Sequence, residues 1–192
     1  MLAAELRKKL GRALSCAVCN QTTSAESYFG FEDVLTSNVF GALRYLDPRY
    51  GLHAVLRDVD VGSFTDATIE FWPCRNGCEP DVVIDTPETL IVVETKLRST
   101  FGHNQLPREV LFAHHRAAGR PWRLLCITDE TREPRHAAYG PDRTLIAGSA
   151  LSLGAGVATY FARTNETDLT AEEIARRVVW MPWWRVGTCQ RA

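Results

Sequence analysis

Asp81, Glu94 and Lys96 are two carboxylates and an ammonium spaced to suit metal-assisted phosphate chemistry. Adjacent carboxylates repel, and a divalent cation resolves that conflict better than one lysine does. A lysine beside them adds a compact positive charge. Whether the three meet depends on the stretch Glu79 to Lys96. Val82 to Ile84 and Leu90 to Val93 are apolar runs rich in β-branched residues, separated by Asp85-Thr86-Pro87-Glu88. That pattern is a β-hairpin in which Pro87 pre-sets φ for the turn. If Thr86 and Thr89 flank the turn, paired residue numbers add to 175, which sets Asp81 opposite Glu94. Opposed residues share a sheet face at about 4.5–5.5 Å. Lys96, two positions beyond Glu94, shares that face.

The run Leu90 to Val93 suggests a strand covered on both faces, where a charge is expensive unless paired. An ion pair alone would account for Glu94 and Lys96; Asp81 as a second acid shifts the balance toward a cation site. The chain has 3 lysines, Lys8, Lys9 and Lys96, against 19 arginines. Its one lysine beyond the N-terminal segment stands here, where a point charge rather than a guanidinium fork is wanted.

Pro80-Asp81, followed after a short hairpin by Glu94-Thr95-Lys96, resembles the PD-(D/E)XK nuclease superfamily, the restriction-endonuclease-like fold. Glu-x-Lys alone is common by chance; its specificity comes from the Asp on the other arm and a helix on each side. The resemblance implies an α/β (α+β) core ordered helix, three-strand meander, helix, strand. It also implies Mg²⁺, with Mn²⁺ as a substitute, held by Asp81, Glu94 and the Thr95 carbonyl. Lys96 would orient the attacking water, and DNA phosphodiester hydrolysis is the implied reaction. The superfamily often has a glutamate on the helix before the first strand that reaches the metal. Glu32 matches that place, directly or through water, and Asp33 is its rival; as first-turn acids both also suit the helix dipole. Gln105 matches a glutamine found in several branches in a Gln-x-x-x-Tyr pattern, although Glu109 stands where the tyrosine would be. Gln105 would orient the hairpin carboxylates or contact a phosphate, or serve as an ordinary first-turn residue.

The elements that must position these residues follow from periodicity. A helix is expected over about Phe31 to Leu46, with Phe31, Leu35, Val39, Ala42/Leu43 and Leu46 as its apolar stripe and Asp47-Pro48 as its stop. Leu52 to Val61 reads as a short strand or extra helix, and Thr68 to Trp72 as the first core strand, stopped by Pro73. After the hairpin, a helix over about Gln105 to Ala118 buries Leu106, Val110, Ala113 and Ala117. Asn104 is its expected N-cap, and Pro107 is tolerated in the first turn. Trp122 to Thr128 is a strong strand signal. Thr144 to Phe161 mixes a strand signal with glycine-rich turns, and Thr170-Ala-Glu-Glu173 is a capping box. Val178 to Trp180 would be an edge strand and Pro182 to Val186 a final helix. An amphipathic helix is expected over 2–17. The domain expectation is one nuclease-like unit over 1–192, with its core at about 31–129 and residues 144–192 as an extension.

Composition bounds the function classes. A net charge of −1 gives no global electrostatic argument for nucleic-acid binding, so any such surface is local. Cys16-x2-Cys19 and Cys74-x3-Cys78 lie too far apart, with too little other knuckle signal, for structural Zn²⁺ to be the expectation; buried thiols are. With no secretory signature and no apolar run long enough for a bilayer, a cytoplasmic protein without a membrane partner is expected. DNA is the expected partner, and a homodimer suits double-strand cutting by analogy. Two alternatives stay open: a catalytically silent nucleic-acid-binding or regulatory module on the same fold, and an unrelated α/β protein whose Glu94–Lys96 pair is only an ion pair.

Overall fold

The computed structural model describes residues 29–59, 62–102, 104–134 and 151–187. The expected helix over 2–17, Cys16 and Cys19 lie outside them. In chain order the elements are α1 (Phe29–Leu43), α2 (Leu52–Leu56), a 3₁₀ turn (Arg57–Val59), β1 (Thr68–Phe71), β2 (Val82–Asp85) and β3 (Leu90–Lys96). These are followed by α3 (Gln105–Ala117), β4 (Trp122–Thr128), α4 (Leu153–Thr164), α5 (Ala171–Arg177), β5 (Val178–Pro182) and α6 (Trp183–Gly187). The result is a mixed α/β core around one five-stranded sheet in sequential order β1-β2-β3-β4-β5.

The hairpin has the register its turn residues dictate. Val82 pairs with Val93 and Asp85 with Leu90, so partners add to 175. The Thr86 hydroxyl fixes the turn, accepting from Thr89 N at 2.9 Å and donating to Thr89 O at 3.0 Å. β1 and β2 are antiparallel, and β3, β4 and β5 run parallel, as the crossovers through α3 and through α4–α5 require. All seven residues of β3 are buried, as expected of a central strand.

Side chains alternate between two cores. Val82, Ile84, Ile91, Val93, Leu125 and Ile127 pack with Phe40 and Leu43 of α1 and Leu52 and Leu56 of α2. On the other face, Val83, Leu90, Val92, Leu124 and Cys126 pack with Leu106, Val110 and Ala113 of α3 and Val157 and Phe161 of α4. By the same alternation Glu94 and Lys96 belong to the α3 face and Thr95 to the α1 face.

Three local expectations need correction. The apolar stripe expected on α1 is displaced: Phe31 is 43% exposed and Leu46, beyond the helix, 50% exposed. The buried face is instead Glu32, Thr36, Ser37, Phe40 and Leu43, polar where it meets the end of β3. Asn104 does not cap α3 with its side chain; it sits at φ 52°, and Gln105 N is satisfied by Gly102 O at 3.1 Å. The glycine-rich stretch reaching Phe161 contains a helix, α4, capped by the Ser152 hydroxyl. Gly154 is used there for close packing against Ala175, not for a turn. The capping box at Thr170 and Glu173 forms as expected, with both reciprocal bonds present.

Candidate active site

The site lies at the C-terminal end of β3, where β2 has ended and side chains from both faces can meet. β1 stops at Trp72, whose backbone takes φ 48° and donates its N–H to Asp81 O at 3.0 Å. A bulky residue in that region is strained, by about 1–3 kcal/mol. With its carbonyl used by β1, Asp81 continues the hairpin with its side chain. Its Oδ2 accepts from Thr95 N at 2.8 Å and from Thr95 Oγ1 at 2.6 Å. The Thr95 hydroxyl is 2.8 Å from that of Thr36, whose single proton goes either to it or to Glu32 O, also 2.8 Å away. One buried hydroxyl chain thus ties α1 to the hairpin acid.

Lys96 is the hub. Its ammonium donates to Glu94 Oε1 at 2.5 Å, Thr95 O at 2.8 Å and Glu32 Oε1 at 3.2 Å, which uses all three donors. Burial works against its charge. Glu94, Asp81 and Glu32 outweigh that and hold its pKa above the usual lysine range. Glu32 Oε2 also accepts from Leu97 N at 2.7 Å and Ser99 Oγ at 3.0 Å. Glu32 therefore reaches the site, where it anchors the chain leaving β3.

On the other side Gln105, at the start of α3, donates its amide to Glu94 Oε1 and accepts from Gly102 N at 2.9 Å. Of the roles open to it, Gln105 thus orients a hairpin carboxylate. Sequence reasoning passed over Glu109, one turn further along α3. It is 2% exposed, and Glu94 and Gln105 lie close enough to bear on its carboxyl. A signal existed: Leu106, Glu109, Val110 and Ala113 recur at helical spacing, so an acid occupies a position on the buried stripe. Burial pushes Glu109 up to about 7, and the Asp81 charge adds to this against the opposing pull of Lys96. Glu94 is raised well above the usual carboxylate range, chiefly by burial, then by Asp81 and Glu109. Burial likewise pushes up two thiols near these acids, Cys78 to about 12 and Cys126 well above its usual value. Cys126 is the β4 residue in register with Glu94.

The oxygen set of carboxylates and a backbone carbonyl suits a hard cation, and the Lys96 ammonium supplies a separate positive charge beside it. Glu94 Oε2 and Glu109 Oε2 are buried without a hydrogen-bond partner, and such orphaned carboxylate oxygens are costly unless a proton or cation takes them. Asp81 places both its hydrogen bonds on Oδ2. Among the described residues no three His, Cys, Asp or Glu side chains form a ready-made metal cluster, so the Thr95 carbonyl would have to complete the set. The sequence-expected residues Glu32, Asp81, Glu94, Thr95, Lys96 and Gln105 are thus all joined in one hydrogen-bonded network around the end of β3. Comparison with protein-family models, curated proteins and solved structures gives no match for this chain.

Proposed function

We propose that the chain is a metal-dependent deoxyribonuclease with a restriction-endonuclease-like core, hydrolysing DNA phosphodiester bonds. One observation carries the reading: Asp81 on one arm of the hairpin and Glu94 and Lys96 on the other are all buried within one network at the end of β3. Burying four carboxyl groups and a lysine together works against stability. Perturbed titratable groups cluster at functional sites. The order of elements from α1 to β4 supports the same reading, because it is the order the resemblance implies.

In this reading Mg²⁺, or Mn²⁺ in its place, would be held by Asp81, Glu94 and the Thr95 carbonyl; when bound it would supply a more acidic water and offset charge at phosphorus. The chain's own residues do the rest. Lys96 stays protonated and presents a fixed positive charge to the phosphate as it gains negative charge. Glu32 limits the swing of that ammonium from the α1 side, and Gln105 fixes the Glu94 carboxylate from the α3 side. No covalent intermediate is required.

A second reading, a catalytically silent DNA-binding module, is favoured by one feature. All three Lys96 donors are already taken by protein oxygens, as in a closed structural ion-pair lattice. Plasmid and oligonucleotide cleavage with Mg²⁺ or Mn²⁺ separates the two. The native chain should cut, and Asp81→Asn and Lys96→Ala should each reduce the rate by about 100-fold or more. Nicks alone would fit one copy at a time, and double-strand breaks would fit a pair. Binding of DNA without cleavage, equal in all three chains, defeats the nuclease reading.

A further inference from the structure

The Glu109 carboxyl has no place in the nuclease reading above, yet it is as deeply buried as Glu94 and lies against it. The two side chains come from different elements, one from the middle of the sheet and one from α3. Each keeps Oε2 buried and free of any hydrogen-bond donor. Glu94 spends its other oxygen on Lys96 and Gln105. Gln105, one helix turn from Glu109, therefore holds Glu94 by one oxygen and leaves the other open.

Nearby charge does not close the gap. Among the described residues, four acids, Glu32, Asp81, Glu94 and Glu109, are buried here against one buried cation, Lys96, whose donors are fully committed. Cys78 and Cys126, the neighbouring thiols, are held in their neutral form by burial and supply no positive charge. The packing on this face is otherwise aliphatic and aromatic. Two open carboxylate oxygens in such surroundings demand a positive partner, and carboxylate oxygens select a small hard cation.

We propose that Glu94 Oε2 and Glu109 Oε2 form a seat for a divalent cation of the Mg²⁺ or Mn²⁺ class, with Glu109 as a ligand supplied by α3. The inference shares Glu94 with the proposed nuclease site, but it rests on the open oxygens and not on the reaction. A single proton shared between the two carboxyls is the competing occupant, and the experiment separates the two.

Mn²⁺ binding to the full chain, followed by electron paramagnetic resonance without nucleic acid, is the test. Glu109→Gln should weaken binding about tenfold or more, the usual scale for losing a supporting group at a metal site. Glu109→Met, which fills similar space without an ionisable group, covers the case in which Glu109→Gln does not fold, and it should weaken binding as much. Affinity unchanged in both variants assigns the pair to a shared proton and overturns the proposal. A native chain that takes up no Mn²⁺ overturns it too and removes the metal from the nuclease reading. Glu109-dependent Mn²⁺ uptake in a chain that cuts no DNA upholds the seat and counts against the nuclease reading alone.

Discussion

Glu94 and Glu109 both hold protons more tightly in the folded chain than in the unfolded one, because burial disfavours their charged forms. The sign of the pH dependence follows. Below the ordinary glutamate value of 4.5 both groups are protonated in either state, and the stabilising contribution is complete. It is lost as pH rises toward about 7, where Glu109 ionises in its buried position. Denaturant unfolding in EDTA should therefore show stability falling between those limits, by up to about 1.4 kcal/mol per pH unit for each proton involved. Glu109→Gln should flatten the slope; a native profile that rises across the window would contradict the assignment. At this scale the sequence was informative wherever a residue's type is unusual for its surroundings. Asp81, Glu94 and Lys96 interrupt apolar strands, and the turn Thr86 to Thr89 fixed their register. Glu109 was missed because a first-turn glutamine drew the comparison toward the tyrosine expected four residues later. Its position on the apolar stripe of α3 went unweighed.

Helix α1 shows why elements near a site are harder to place than elements in a core. Its apolar residues suggested a face through Phe31, Leu35 and Val39, whereas the helix turns Glu32, Thr36 and Ser37 inward. Those polar side chains are buried because Lys96 and Thr95 offer them partners, and no single-helix pattern can reveal a partner more than fifty residues away. α3 had no such conflict until Glu109, and its boundaries and core residues were legible. The glycines near Leu153 pointed to turns because their use is only apparent once α5 is in place. A Cβ at Gly154 would sit 2.6 Å from Ala175 O, so the absence of a side chain lets α4 approach the α5 backbone. Gly154→Ala should cost about 1–3 kcal/mol through overpacking. A thermal melt should show a loss of about 2–4 °C for each of those kcal/mol. An unchanged or raised Tm would mean that α5 shifts freely and the close approach is incidental.

At the scale of the molecule, the meander and the element order through β4 were legible in sequence because hairpins are short-range and topologically constrained, whereas the parallel pairing of β3, β4 and β5 was not. No helix among the described residues is long and apolar enough to cross a membrane. The sheet separates two cores that share no side chains, and each contains one fully enclosed tryptophan: Trp72 on the α1 face and Trp122 on the α3 face. Around the end of β3, the line Glu32, Lys96, Glu94, Gln105 wraps from one face to the other. The lysine is thus a rivet between two halves as well as a charge. Chains retaining a single fluorophore, Trp72 in one and Trp122 in the other, should lose their native emission together during denaturation. With Lys96→Ala added, the α1 half should let go first, and the two optical signals should part.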